Sequence, residues 1–150
     1  VLEHAPDPHA LLHYLFQSIR PGGCILITVP NARGVSIRCR GKNAFAVVPP
    51  EHLSYFTTPA LAKMVESEGF QVERQTTCDI YLKEWMHWLP GTRNPKEKST
   101  AEEDTERDDY SRWYGRFSGN LALWAIGGIN LALGVSGLGD QLVCVARKPL

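Results

Sequence analysis

Two acid–imidazole pairs stand out in this chain of 150 residues: Glu3-His4 near its start, and Glu51-His52 directly after Pro49-Pro50. Imidazole titrates near neutrality, so either His could take a proton from a hydroxyl nucleophile, with a carboxylate beside it. For His4 the alternative is a cap on the following helix or a contact to a bound cofactor. The prolines restrict the backbone around Glu51 and His52, and Tyr55-Phe56 could wall an apolar pocket. Leu53 and Phe56 could equally staple the loop to the domain. His9 and His13 have the i, i+4 spacing of a metal pair. No third ligand is evident in sequence and the glutamate of a zinc-protease helix is absent, so they read as a solvated helix face and no metal site is expected.

The elements that must position these groups are organised around Arg20-Pro21-Gly22-Gly23-Cys24-Ile25-Leu26-Ile27-Thr28-Val29-Pro30-Asn31. A Pro-Gly-Gly turn feeds an apolar, β-branched run that a proline ends, which predicts a strand over 24–30. The run does not alternate, as expected of a parallel strand covered on both faces. Upstream, Asp7-Pro8 is a cap-plus-proline helix start, and Leu11, Leu12, Leu15, Phe16 and Ile19 share one helical face, predicting a helix over 7–20. In a doubly wound sheet this order brings residues 1–6 and 31–33 to the ligand-binding edge.

Residues 31–56 show little periodicity and read as a long binding loop or lid. Thr58-Pro59 and Gly69 bracket a helix at about 59–68, and 70–76 alternates like a strand. From 83 to 118 an aromatic and then charged stretch reads as an exposed insertion. Residues 119–138 carry no charge, and the stretch from Gly119 to Gly139 holds six glycines. They read as an apolar helix packed on the domain in preference to a membrane contact, with a possible break near Gly127-Gly128. A last strand follows at 141–147.

Sixteen basic residues balance sixteen acidic ones, which leaves no electrostatic footprint for nucleic acid. With 43% hydrophobic and 21% charged residues the chain is an ordinary globular one. Cys24, Cys39, Cys78 and Cys144 are widely spaced, as reduced thiols in a cytoplasmic protein are. Val1-Leu2-Glu3-His4 has neither part of a signal peptide, and the start without Met reads as that of a fragment.

Together, Val1-Leu2-Glu3-His4-Ala5-Pro6-Asp7-Pro8, the Arg20-Pro21-Gly22-Gly23 turn into a strand ending Val29-Pro30-Asn31, Pro50-Glu51-His52-Leu53-Ser54-Tyr55-Phe56, Gly69-Phe70 and Gly139-Asp140-Gln141-Leu142-Val143 resemble the C-terminal half of a class I S-adenosylmethionine-dependent methyltransferase. The nearest branch includes the quinone-biosynthesis O-methyltransferases. The resemblance implies an α/β Rossmann-like fold, present as its C-terminal part only, with an antiparallel last strand. It implies O- or C-methylation of a small molecule, with S-adenosyl-L-methionine as cofactor. On it, His4, His52 and Glu51 are expected to be catalytic, Glu3 and His4 to contact the cofactor, and Asn31, Arg33, Tyr55 and Phe56 to line the substrate site. The glycine-rich loop that holds the methyl donor in this family has no counterpart in the chain. Gly134-x-x-Gly-x-Gly139 follows a helix and precedes a strand, the reverse of a cofactor cradle. The alternative reading is a non-catalytic methyltransferase-derived module that uses 119–138 to contact a partner or a membrane.

Overall fold

The computed structural model describes residues 1–80 and 120–150, with side chains from 128 onward in the second stretch. The expected insertion 83–118 lies outside the described residues. Val1–Tyr81 and Asn130–Leu150 together form one compact unit and Leu82–Ile129 another. The first unit contains the sheet and every candidate residue. Along the chain, a 3-10 turn at Leu2–His4 is followed by α1 (Pro8–Ser18), β1 (Cys24–Pro30), α2 (Val35–Arg40), a second 3-10 turn (Gly41–Asn43), α3 (Thr58–Ser67), β2 (Gln71–Cys78), α4 (Asn120–Ser136) and β3 (Gln141–Arg147).

Local chemistry sets most of these boundaries. Asp7 caps α1 by accepting from Ala10 N at 2.9 Å, with Pro8 in the first turn. The helix stops at Ser18, two residues before the expected end, because Ile19 is already extended on the approach to Pro21. Thr57, rather than Thr58, caps α3. Gly69 then takes φ +94°, and a Cβ there would come within 3.0 Å of the Phe16 ring, so the turn needs glycine both for backbone and for space. The 31–56 loop differs from expectation in holding α2 and the second 3-10 turn. α4 is continuous through Gly127-Gly128, with no break.

The sheet order is β1-β3-β2, and β3 is antiparallel to both neighbours, with Cys24 opposite Arg147 and Pro30 opposite Gln141. The last strand therefore inserts between two strands that run parallel to each other. Leu12 of α1 and Leu61 and Val65 of α3 close over Ile27, Val29, Leu142, Cys144 and Ala146 of the sheet, joined by Leu2, Phe56 and Phe70. Each large aliphatic or aromatic side chain removed from water here contributes roughly 1.5–3 kcal/mol. The expectation of a strand covered on both faces is corrected for β1. Cys24, Leu26 and Thr28 are exposed, Leu26 by 69%, so among the described residues only the Ile27–Val29 face is covered.

Candidate active site

The carboxyl end of β1 is built from three crossing segments. Asn31 forms a parallel bridge with Phe56, Ala32 N donates to Phe56 O at 2.8 Å, and Asn31 N donates to Asp140 O at 2.8 Å. The loop is also tied to the first turn of the chain, since the carbonyl of Glu3 accepts from both Leu53 N (2.8 Å) and Ser54 N (3.1 Å). These backbone bonds carry the 51–56 segment over the Leu2–His4 turn, where buried Leu2 roots the turn in the core. They also bring His52 against His4.

The two imidazoles meet edge to face with centroids 4.8 Å apart. His4 Nδ1 lies 2.8 Å from Glu51 O and His52 Nδ1 2.7 Å from Ala46 O. A carbonyl only accepts, so in both rings Nδ1 carries the proton and Nε2 of the neutral ring presents a lone pair. His4 Nε2 stands 3.5 Å from Glu3 Oε1. The ligand-capable atoms of Glu3, His4 and His52 all lie within 4.8 Å of one another. The arrangement gathers two imidazoles and a carboxylate around one small space, suited to accepting a proton or binding a cation.

The other expected residues fall in different places. Glu51 meets the cluster through its main-chain carbonyl, and the acid whose carboxylate joins the imidazoles is Glu3. Asn31 is 1% exposed, with Nδ2 donating to Gly137 O and Gly139 O and Oδ1 accepting from Arg33 N, so its side chain clamps the rim from inside instead of facing a substrate. Phe56, 3% exposed, belongs to the core; of the two readings of Leu53 and Phe56, stapling holds for Phe56 alone, since Leu53 is exposed. Arg33 and Tyr55 are exposed, and Tyr55 lies edge-on to His52 at 6.3 Å. Burial, above all, pushes the thiols of Cys78 and Cys144 up, which leaves neither a nucleophile near neutral pH.

Two groupings were not foreseen in the sequence. Asp140, 2% exposed, accepts from Ser36 N at 2.8 Å and Ser36 Oγ at 2.6 Å, which holds the first turn of α2 to the start of β3. A buried acid between glycine and a strand was the signal available for it. Glu68 bridges His9 Nδ1 (2.8 Å) and His13 Nδ1 (3.4 Å), a third partner that spacing along α1 did not reveal, beside an open pocket of about 410 Å³. As expected, Gly134 lies in α4 and Gly137 and Gly139 lead into β3, the order of a connection and not of a cofactor cradle.

The rim lies at the carboxyl end of a strand in an α/β sheet of the Rossmann-like class, the edge at which such folds place their ligands. Residues 1–75 match the profile of a family described as a methyltransferase domain, and the chain belongs to that family as a class I methyltransferase domain. It is similar to the C-methyltransferase NovU of Streptomyces niveus, with 30% identity over 78 residues that cover 52% of this chain and 18% of NovU. A crystal structure of a methyltransferase candidate from Bacillus halodurans shares the fold over 100% of this chain, with a TM-score of 0.50 and 16% identity. The chain spans 62% of that protein.

Proposed function

We propose that the domain serves the transfer of a methyl group from S-adenosylmethionine to an oxygen or an enolisable carbon of a small molecule held at the Glu3–His4–His52 rim. The observation that carries this reading is the paired imidazole geometry. Both Nδ1–H groups are committed to main-chain carbonyls, so both Nε2 lone pairs remain for an acceptor proton. Methyl transfer needs an in-line approach to the sulfonium carbon and a base for the acceptor. The acceptor atom forms its bond to the methyl carbon as the carbon–sulfur bond breaks, and its proton passes to Nε2. Tyr55 and Arg33 border the same rim and are the groups from which acceptor contacts would come. The similarity to a C-methyltransferase favours keeping carbon acceptors in this reading beside hydroxyls. The free cysteines fit a reducing, cytoplasmic setting.

The test uses the complete gene product, methyl-labelled S-adenosylmethionine and a panel of small hydroxylated and enolisable acceptors, with S-adenosylhomocysteine as the readout. His4→Asn and His52→Asn keep a donor near the Nδ1 position and remove Nε2, and at least one is expected to lower turnover by about 10²–10⁴-fold. Turnover unchanged in both variants would remove the base role.

A second reading, a non-catalytic module that docks through α4, is favoured by one observation. Ile129, Leu131 and Val135 are 48%, 71% and 85% exposed on that helix. Among the described residues no helix is long and apolar enough to cross a membrane. On this reading the occupant would be a protein partner or a membrane surface, and absence of any donor turnover together with binding through α4 to a defined protein or to lipid vesicles would favour it.

A further inference from the structure

The residues at the rim have a property beyond proton acceptance. Two neutral imidazoles and one carboxylate make up a donor set that suits borderline divalent ions, and such ions bind these atoms at about 2.0–2.2 Å. Ligands around one ion then stand roughly 3.3–3.5 Å apart in a tetrahedron, and His4 Nε2 to Glu3 Oε1 is already 3.5 Å. The ligand-capable atoms of all three residues lie within 4.8 Å of one another, near the spacing that one ion requires. Outer support is present as well. The remaining ring nitrogens donate to Glu51 O and Ala46 O, the pattern that fixes tautomer and orientation in metal-binding histidines.

We propose that Glu3, His4 and His52 form a site for a divalent transition ion of the zinc, cobalt or manganese class, held by two Nε2 atoms and a carboxylate oxygen with its other positions open to the rim. The rival imidazole cluster is a poorer fit. Glu68 already spends both oxygens on the Nδ1 atoms of His9 and His13, two residues on one exposed helix surface. The use of the ion rests on the methyl-transfer reading. An acceptor hydroxyl in an open position would lose its proton to water, and its oxygen would form the carbon–oxygen bond as the methyl–sulfur bond breaks. With an ion bound, His4 and His52 would serve as its ligands, and the base role proposed above would belong to the ion-free rim.

The site is tested with cobalt(II) alone, added to the chelator-treated chain in the absence of methyl donor and acceptor. One equivalent is expected to bind with a visible ligand-field spectrum of low coordination number and no thiolate-to-cobalt band, such as the exposed Cys24 or Cys39 would give. His4→Asn and His52→Asn, which keep a donor toward Glu51 O and Ala46 O, are each expected to weaken binding by at least about 100-fold. The double variant His9→Gln/His13→Gln is expected to bind as the parent does. Failure to take up cobalt, a thiolate band, or loss of uptake only in the His9/His13 variant would overturn the site. Turnover by the chelator-treated complete gene product without uptake would overturn the ion and leave methyl transfer standing. Uptake without turnover would support the site and count against the acceptor chemistry.

Discussion

At Asn31 a single amide joins three pieces of chain, donating to Gly137 O at 3.1 Å and Gly139 O at 2.7 Å while accepting from Arg33 N at 3.0 Å. Removing it leaves buried carbonyls without a donor, so Asn31→Ala is expected to cost about 1–3 kcal/mol, read as a lower urea midpoint. Asp140 is the companion residue. Asp140→Ala orphans Ser36 N and Ser36 Oγ in a fully buried position and is expected to destabilise by a similar amount, with the 31–40 segment gaining hydrogen exchange first. At the far end of the sheet Arg147 binds both carboxylate oxygens of Glu73 and donates to Gly22 O at 2.7 Å. Its hydrogen bond, chiefly, holds the Glu73 carboxyl below the usual value. A depressed carboxyl pKa stabilises the fold above the ordinary carboxylate range, and that contribution is lost as pH falls through the folded value. The difference in urea midpoint between the parent and Glu73→Gln is therefore expected at neutral pH and to vanish in acid. It should be small, because the pair is exposed and screened.

At the scale of elements, the rim depends on the close passage of the α4–β3 connection over the end of β2. A Cβ on Gly139 would lie 2.6 Å from Cys78 O and 2.8 Å from Cys78 C, both main-chain atoms that cannot rotate away. Gly139→Ala is expected to cost about 1–3 kcal/mol by overpacking, measured by thermal unfolding, and to loosen the Asn31 clamp with it. Gly137, in the same connection with φ +69° and nothing within 4 Å of a Cβ, should respond through backbone strain alone. The His52 loop is positioned differently. It has no strand or helix of its own between Ala44 and Phe56, and its place is set by main-chain bonds to Glu3 O and Ala32 N.

Among the described residues, exposed apolar side chains include Leu26 on β1 and Leu131 and Val135 on α4. Val135→Lys is expected to change stability by no more than about 0.5 kcal/mol, read by thermal unfolding, since 85% of the residue already meets water. Among the described residues there is no strand–glycine loop–helix cradle, so residues 1–150 by themselves are expected to bind S-adenosylmethionine far more weakly than the complete gene product. Titration calorimetry of both proteins checks this, and micromolar binding by residues 1–150 alone would contradict it.

The two strands over 24–30 and 141–147 were legible residue for residue, because an apolar run bounded by Pro-Gly-Gly or Gly-Asp has few other ways to satisfy its backbone. The α1 and α3 starts were legible to within a residue for the same local reason, a side-chain cap followed by proline. Glu3, His4 and His52 could be singled out by type, but their meeting could not, since 47 residues separate His4 from the Glu51 carbonyl that orients it. Nor could the sequence distinguish Glu3 from Glu51 as the acid of the cluster, or show that Asn31 and Phe56 turn inward. A hydrogen bond or a packed ring is decided by which distant backbone passes within about 3 Å, and only the folding of β3 between β1 and β2 brings those segments together.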